Sequence, residues 1–138
     1  MRQGKREPGE RKRIVIGTLD YGVIRALGGR FHSNEYDIRY YHRGADVLIE
    51  ILDHDVDLLI LDVEVTGSIG MELLPVIRRL RPRLPVILVT DDFTNQIRRV
   101  AAEQGITYQT FKPMSESETD AIVQATETII KKTQPVYC

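Results

Sequence analysis

The stretch DVDLLILDVEV (residues 55–65) contains an apolar run that is interrupted by a single acid, Asp62. The four apolar residues from Leu58 to Leu61 predict a strand that is buried on both faces, as is typical of parallel sheets. Asp62 follows them directly, before Val63 resumes the apolar run. A buried carboxylate costs free energy unless it is paired or used in chemistry, so its position at the strand end indicates a site.

Segments on either side of this strand alternate between strand-like apolar runs and stretches with apolar residues at helical spacing. The predicted strands are 13–17, 36–41, 57–63, 84–90 and 107–111, and the predicted helices are 20–31, 44–52, 70–81, 94–105 and 115–132. Pro75 predicts a late start or a kink in the third helix. Ser115 and Glu118 form the pattern of a capping box that opens the last helix.

Five strand–helix units of this kind fold as a parallel sheet with helices on both faces. Right-handed crossovers favour the flavodoxin-like strand order 2-1-3-4-5, which gives a three-layer α/β sandwich with about five helices. The domain is predicted over 13–132. We expect a basic, disordered tail at 1–12 and a short tail at 133–138.

The length, composition and charge of the chain limit the classes of protein to which it can belong. A chain of 138 residues that is 42% hydrophobic fits one domain with a real core. The net charge of −1 gives no overall attraction to nucleic acid, and the six basic residues among the first thirteen lack interleaved aromatics, so nucleic-acid binding is not expected. No apolar stretch reaches about 18 residues, and the lone cysteine, Cys138, suits a reducing compartment. We therefore expect a cytoplasmic protein without a membrane partner.

Two further polar residues end strands of the predicted sheet. Thr90 ends the fourth strand and Lys112 follows the fifth, so both should lie near Asp62 at the carboxyl edge, where such sheets bind ligands. A carboxylate can attack phosphorus to give an acyl phosphate, which a cation and a hydroxyl donor would stabilise. Taken singly, the three residues also fit a turn cap, an ordinary strand-end hydroxyl and a solvated charge.

At this point the sequence resembles the receiver domains of response regulators in two-component signalling and phosphorelays. The resemblance covers about 13–132, and its most specific segments are DLLILDVEVTGSIGMELL (57–74), PVILVT (85–90) and GITYQTFKP (105–113). The family implies an Mg²⁺ cofactor and a histidine kinase or phosphotransfer protein as phosphoryl donor. It also implies a downstream protein that reads the face formed by the fourth helix, fifth strand and fifth helix (the α4-β5-α5 face), and leaves open a homodimer through those helices.

The resemblance also assigns roles to single residues. It implies that Asp62 is the phosphoacceptor, Thr90 the switch hydroxyl and Lys112 the phosphate-pairing lysine, with a cis peptide bond before Pro113. A receiver is not an enzyme in the usual sense, although self-phosphorylation from small phosphodonors stays open. No output domain follows the last predicted helix, so we expect the effect to pass through another protein.

The departures from the family pattern concern mainly the metal. The acidic pair that holds Mg²⁺ in the family aligns with Thr18 and Leu19, and Leu19 offers no ligand atom. Because Mg²⁺ usually needs one or two carboxylates, Asp62 with Asp20 or Glu64 is the predicted ligand set, and Mg²⁺ binding should be weak or atypical.

Smaller departures surround the other site residues. Asp91 stands where the family prefers a small residue, Thr66 where it has a proline, and Gln109 where it has the switch aromatic, although Tyr108 is adjacent. One alternative is therefore a pseudo-receiver that serves as a protein–protein interaction module without phosphate. A remote alternative is a flavin-binding flavodoxin-like protein, against which the short acid-containing loop GTLDYG (17–22) argues.

Overall fold

A computed structural model describes residues 11–31, 34–64, 70–90, 95–112 and 114–133. Five parallel strands form one sheet in the order β2-β1-β3-β4-β5, with five helices between and after them. The elements are β1 (Lys12–Gly17), α1 (Tyr21–Gly28), β2 (Tyr36–Tyr41), α2 (Gly44–Asp53), β3 (Leu58–Asp62), α3 (Gly70–Leu80), β4 (Val86–Thr90), α4 (Asn95–Glu103), β5 (Tyr108–Phe111) and α5 (Glu116–Thr133). The predicted α/β class and flavodoxin-like strand order are confirmed.

The third helix is confirmed, since α3 spans Gly70–Leu80 against the predicted 70–81. Of the two effects predicted for Pro75, the late start is wrong, because the helix begins at Gly70 and continues through the proline, and the kink stays a prediction. An interior proline costs about 3 kcal/mol, whereas burying one large aliphatic side chain contributes about 1.5–3 kcal/mol. Leu73, Leu74 and Ile77 of this helix are all buried, and their burial outweighs the proline.

The cap of α5 is half confirmed. The Ser115 hydroxyl accepts a hydrogen bond from the Glu118 amide at 3.1 Å, as a capping box requires. The Glu118 carboxylate instead accepts the hydroxyl of Thr110 in β5, so it links the helix to the sheet. The predicted tails at 1–12 and 133–138 lie outside the described residues, except for Arg11, Lys12 and Thr133.

Two apolar clusters cover the two faces of the sheet, because successive strand residues point to opposite faces. Leu59 and Leu61 belong to the cluster that packs against α2, α3 and α4. Leu58 and Ile60 belong to the cluster that packs against α1 and α5. Both faces of β3 are therefore buried, which explains its continuous apolar sequence.

A network of polar side chains links β1 and β2 to α2. Glu50 is buried on α2 and accepts Arg13 Nη1 at 2.9 Å and the Tyr41 hydroxyl. Arg13 Nη2 also donates to Asp37 Oδ2 at 3.2 Å. Burial and the Glu50 hydrogen bond raise the pKa of Tyr41 to about 12. The network joins β1, β2 and α2 through side chains whose pairing the sequence pattern does not reveal.

Strand register brings the polar strand ends to one edge. Asp62 is opposite Val89 in β4, and Thr90 is opposite Phe111 in β5. The Lys112 amide donates to the Thr90 carbonyl at 2.8 Å, which extends the pairing one residue beyond β5. The ends of β3, β4 and β5 therefore lie side by side, and they carry Asp62, Thr90 and Lys112.

We expect Leu59→Ala to lower the free energy of unfolding by about 2–5 kcal/mol, because it leaves a cavity in the middle of a two-sided core. Leu52→Ala is the matched control, since Leu52 is 47% exposed on α2 and should change stability by about 0.5 kcal/mol or less. Urea unfolding followed by circular dichroism measures both values. Equal losses in the two variants would contradict the assignment of Leu59 to the core.

Candidate functional site

The Asp62 carboxylate is only 2% exposed, and both of its oxygens have polar partners. Its Oδ1 accepts the Glu64 amide at 3.0 Å, and its Oδ2 accepts the Thr18 hydroxyl at 2.8 Å. The Lys112 ammonium contacts both oxygens, at 3.1 Å and 2.9 Å. A buried charge is tolerated when it is paired and hydrogen-bonded in this way.

Lys112 is the cation of the site and is itself 8% exposed. Its Nζ lies 3.2 Å from Glu64 Oε2 and 3.7 Å from Asp20 Oδ2, in addition to its contacts with Asp62. Burial alone would lower the pKa of Lys112, but the hydrogen bonds and Coulomb attraction of Asp62 and then Glu64 raise it above its usual value. The ammonium is therefore held between three carboxylates in its charged form.

Thr18 supplies the second side-chain donor to Asp62. It is 1% exposed, and its amide donates to the Tyr41 carbonyl at 3.0 Å, so it continues the pairing of β1 with β2. Its hydroxyl oxygen accepts the Asp20 amide at 3.0 Å, and the hydroxyl proton is donated to Asp62. The sequence had identified Thr18 only as the residue that replaces a metal ligand, whereas the fold makes it a donor to the central carboxylate.

Asp20 lies at the rim and also shapes the backbone there. Its Oδ1 accepts the Gly22 amide at 2.7 Å, which makes Asp20 the N-cap of α1. The neighbouring Leu19 is 47% exposed and presents an aliphatic side chain at the position where the receiver family carries an acid. The end of β1 therefore contributes one rim carboxylate that is partly engaged in capping.

Thr90 is fully buried at the end of β4, beside the strand that carries Asp62. The structure thus brings Asp20, Asp62, Glu64 and Lys112 into contact and places Thr90 at the same sheet edge. Tyr108 packs against the apolar cluster on the α1–α5 face. The predictions for Thr66, Asp91 and the peptide bond before Pro113 fall outside the described residues.

The donor set around Asp62 does not fit a divalent cation in this arrangement. The described residues contain no group of three or more His, Cys, Asp or Glu side chains that could hold a metal ion. Asp20, Asp62 and Glu64 converge on the Lys112 ammonium, the Thr18 hydroxyl donates its proton to Asp62, and Leu19 has no ligand atom. The prediction that these three carboxylates bind Mg²⁺ stays a prediction.

A five-stranded parallel sheet in the order β2-β1-β3-β4-β5 defines the flavodoxin-like class of α/β folds, and comparison with known proteins identifies the family. The family model described as the response regulator receiver domain matches residues 20–124. The chain therefore belongs to the response regulator receiver domain family of two-component signalling. Receiver domains are signalling domains, generally not enzymes, and they typically bind Mg²⁺ at an acidic pocket.

Curated relatives are transcription regulators. The chain is 29% identical over 122 residues to the transcriptional regulatory protein GlrR of Escherichia coli K12, covering 88% of this chain and 27% of GlrR. It is 27% identical over 110 residues to the DNA-binding transcriptional regulator NtrC of Rhizobium meliloti, covering 80% of this chain and 23% of NtrC. The chain spans about a quarter of the length of these relatives.

Solved structures support the fold. The non-phosphorylated HemR receiver domain of Leptospira biflexa superposes with a TM-score of 0.78 at 22% identity, over 92% of this chain and 100% of that chain. A CheY-like receiver domain protein of Methanospirillum hungatei gives a TM-score of 0.76 at 20% identity, over 89% and 97% of the two chains. Within the described part of the chain, no helix combines the length and apolar character needed to span a membrane.

We expect Lys112→Met to lower the free energy of unfolding at neutral pH by on the order of 3 kcal/mol, because it leaves the buried Asp62 carboxylate without its cation. Lys131→Met, at an exposed position on α5, is the matched control and should be nearly neutral. Urea unfolding measures the difference between the two variants and the wild type. A loss no greater than that of the control would contradict a stabilising role for the ion pair.

The pH dependence of that difference has a definite sign. The pKa of Lys112 is higher in the folded protein than in the unfolded chain, so its contribution is complete below about pH 10.5 and is lost as the pH rises through the folded pKa. The stability gap between wild type and Lys112→Met should therefore narrow above about pH 10.5. A gap that widened there would contradict the pairing. Comparison with the variant is necessary because tyrosines such as Tyr41 titrate in the same range.

Proposed function

We propose that this receiver domain accepts a phosphoryl group on Asp62 from a histidine kinase or phosphotransfer protein and signals to a partner protein. The observation that carries the proposal is the contact between the Asp62 carboxylate and the Lys112 ammonium, at 2.9 Å, at the carboxyl edge of the sheet. A carboxylate held rigidly beside a cation is suited to attack phosphorus and to retain the product.

The proposed step is a single phosphoryl transfer. An Asp62 oxygen attacks the phosphorus atom of a phosphohistidine, forming an O–P bond while the P–N bond breaks. The electron pair of that bond stays on the imidazole nitrogen, and the ring leaves as neutral imidazole because its other nitrogen carries a proton. Lys112 pairs with the added phosphoryl oxygens, and we assign Thr90 as the hydroxyl that donates to one of them, because both residues end neighbouring strands.

We propose that any Mg²⁺ association at Asp20, Asp62 and Glu64 is weak. An ion at the centre of these carboxylates would have to displace the Lys112 ammonium, which lies 2.9–3.7 Å from one oxygen of each. Mg²⁺ needs near-octahedral oxygen ligands, usually including one or two carboxylates, and here each carboxylate already contacts the ammonium.

We propose that the protein acts in the cytoplasm and that its downstream partner protein binds the α4-β5-α5 face. A homodimer through α4 and α5 is the open alternative. The support is a surface that combines exposed charge with an exposed aromatic residue. Arg98 and Arg99 of α4 are exposed, and Phe111 at the end of β5 is 40% exposed. Partly exposed aromatic and arginine side chains are enriched at protein interfaces.

A phosphorylation-independent pseudo-receiver is the second candidate function. It is favoured by Thr18 and Leu19 at the end of β1, which remove both carboxylates that the family carries there. Membership of the receiver family leaves the flavin-binding alternative without support.

Incubation of the wild-type protein with acetyl phosphate should add one phosphoryl group, which intact-mass spectrometry detects as about 80 Da, since a single carboxylate is the nucleophile. The gain should be absent in Asp62→Asn, because an amide oxygen is a far weaker nucleophile. Asp53→Asn, on α2, is the control and should keep the gain.

A mass gain that persists in Asp62→Asn would remove Asp62 from this role. A folded wild-type protein that gains no mass from acetyl phosphate, and none from a panel of phosphorylated histidine phosphotransfer domains, would favour the pseudo-receiver.

A further inference from the structure

The centre of the acidic rim is filled by the protein's own cation. Three carboxylates surround the Lys112 ammonium: Asp62 at 2.9 Å, Glu64 at 3.2 Å and Asp20 at 3.7 Å. Lys112 is 8% exposed, whereas Glu64 and Asp20 are 56% and 41% exposed. The cation is thus buried, whereas two of its anionic partners lie at the surface, one of which, Asp20, also caps α1 through its other oxygen.

A second feature fixes the orientation of the Thr18 hydroxyl. Because its oxygen accepts the Asp20 amide at 3.0 Å, its proton is directed to Asp62 Oδ2 at 2.8 Å. The carboxylate therefore receives one neutral donor from the end of β1 and one charged donor from the end of β5. The acid that the receiver family pattern carries at the position of Thr18 could, as a carboxylate, only accept hydrogen bonds.

We propose that Asp62 accepts its phosphoryl group without a divalent metal, and that Lys112 and Thr18 together supply the positive charge and the hydrogen bond that the metal would provide. This inference rests on the proposed function. Lys112 supplies fixed positive charge beside the incoming phosphoryl oxygens, and the Thr18 hydroxyl holds the attacking carboxylate in one orientation. Groups that are positioned in advance lower the barrier because they need not reorganise during the reaction. Where the receiver family pattern carries two metal-binding acids, this chain has Thr18 and Leu19. It therefore lacks both ligands and has a hydroxyl donor at Thr18.

The donors around Asp62 can pair with the negative charge that the phosphoryl group brings to the site. When Asp62 becomes an acyl phosphate, its own negative charge is replaced by that of the phosphoryl oxygens. Lys112 can transfer its hydrogen bonds to those oxygens if Glu64 and Asp20 turn outward, which their exposure permits. The carboxyl oxygen that does not bond to phosphorus keeps a donor, either the Thr18 hydroxyl or the Glu64 amide.

The first test compares the rate of mass gain from acetyl phosphate in excess EDTA with the rate in millimolar magnesium chloride. We expect the two rates to agree within about twofold, since the charge compensation comes from Lys112. Phosphorylation that requires magnesium would overturn this inference while the proposed function stands. No phosphorylation in either condition, from acetyl phosphate or from the phosphorylated phosphotransfer domains, would overturn both.

The role of Thr18 is tested with Thr18→Val, which keeps the shape of the side chain and removes the hydroxyl. The rate in EDTA should fall about tenfold, as expected for the loss of one hydrogen bond to a charged group. Thr128→Val is the matched control, because Thr128 is exposed on α5 and its hydroxyl bonds only within its helix. An unchanged rate in Thr18→Val would overturn the assignment of Thr18 as a donor.

Metal binding itself provides a readout that does not depend on phosphorylation. Magnesium chloride is titrated into ¹⁵N-labelled protein, and the amide resonance of Glu64 is followed because that amide donates to Asp62. We expect no saturable shift in the wild type, and a saturable shift in Lys112→Met, in which the three carboxylates lose their cation.

Saturation of the wild type at millimolar magnesium would overturn the inference. A Lys112→Met protein that stays folded and shows no shift would overturn the claim that Lys112 takes the place of the metal. Circular dichroism of each variant establishes that it is folded before titration.

Discussion

The ion pair between Asp62 and Lys112 is the interaction on which the site depends. Asp62 is almost completely buried, and a carboxylate there is tolerable only because an ammonium and two hydrogen-bond donors compensate it. The two residues follow strands that are not neighbours, since β4 lies between β3 and β5. The pair therefore forms only when all three strands are in register, and the core and the site stabilise the same arrangement.

The hydrogen-bond donors to the Asp62 carboxylate are positioned by the strands that they follow. The strands end at one edge, so backbone pairing fixes the starting point of every side chain in the site. Lys112 arrives from β5 with its amide on the Thr90 carbonyl, and Thr18 arrives from β1 with its amide on the Tyr41 carbonyl. Rigid strands thus hold the Asp62 carboxylate and the donors that compensate its charge, while the rim carboxylates of Asp20 and Glu64 remain exposed.

Particular residues show how far sequence reasoning reaches. The apolar run at 58–61 predicts a two-sided strand, and the positions of Asp62, Thr90 and Lys112 at or just after strand ends predict that they share one edge of the sheet. The delayed start at Pro75 was wrong because three buried aliphatic residues of α3 outweigh one proline. Thr18 was read only as a missing ligand, since the direction of a hydroxyl proton depends on what its oxygen accepts.

The class of fold and the strand ends that carry the site can be predicted from the chain, because hydrophobic periodicity is a local property, and the handedness of the crossovers then limits the strand order. Only the tertiary structure decided that Lys112 lies among three carboxylates, that Thr18 donates to Asp62, and that Glu50 pairs with Arg13 and Tyr41. These contacts join residues far apart in the chain. Their geometry depends on strand register and on side-chain rotamers, which no short segment specifies alone.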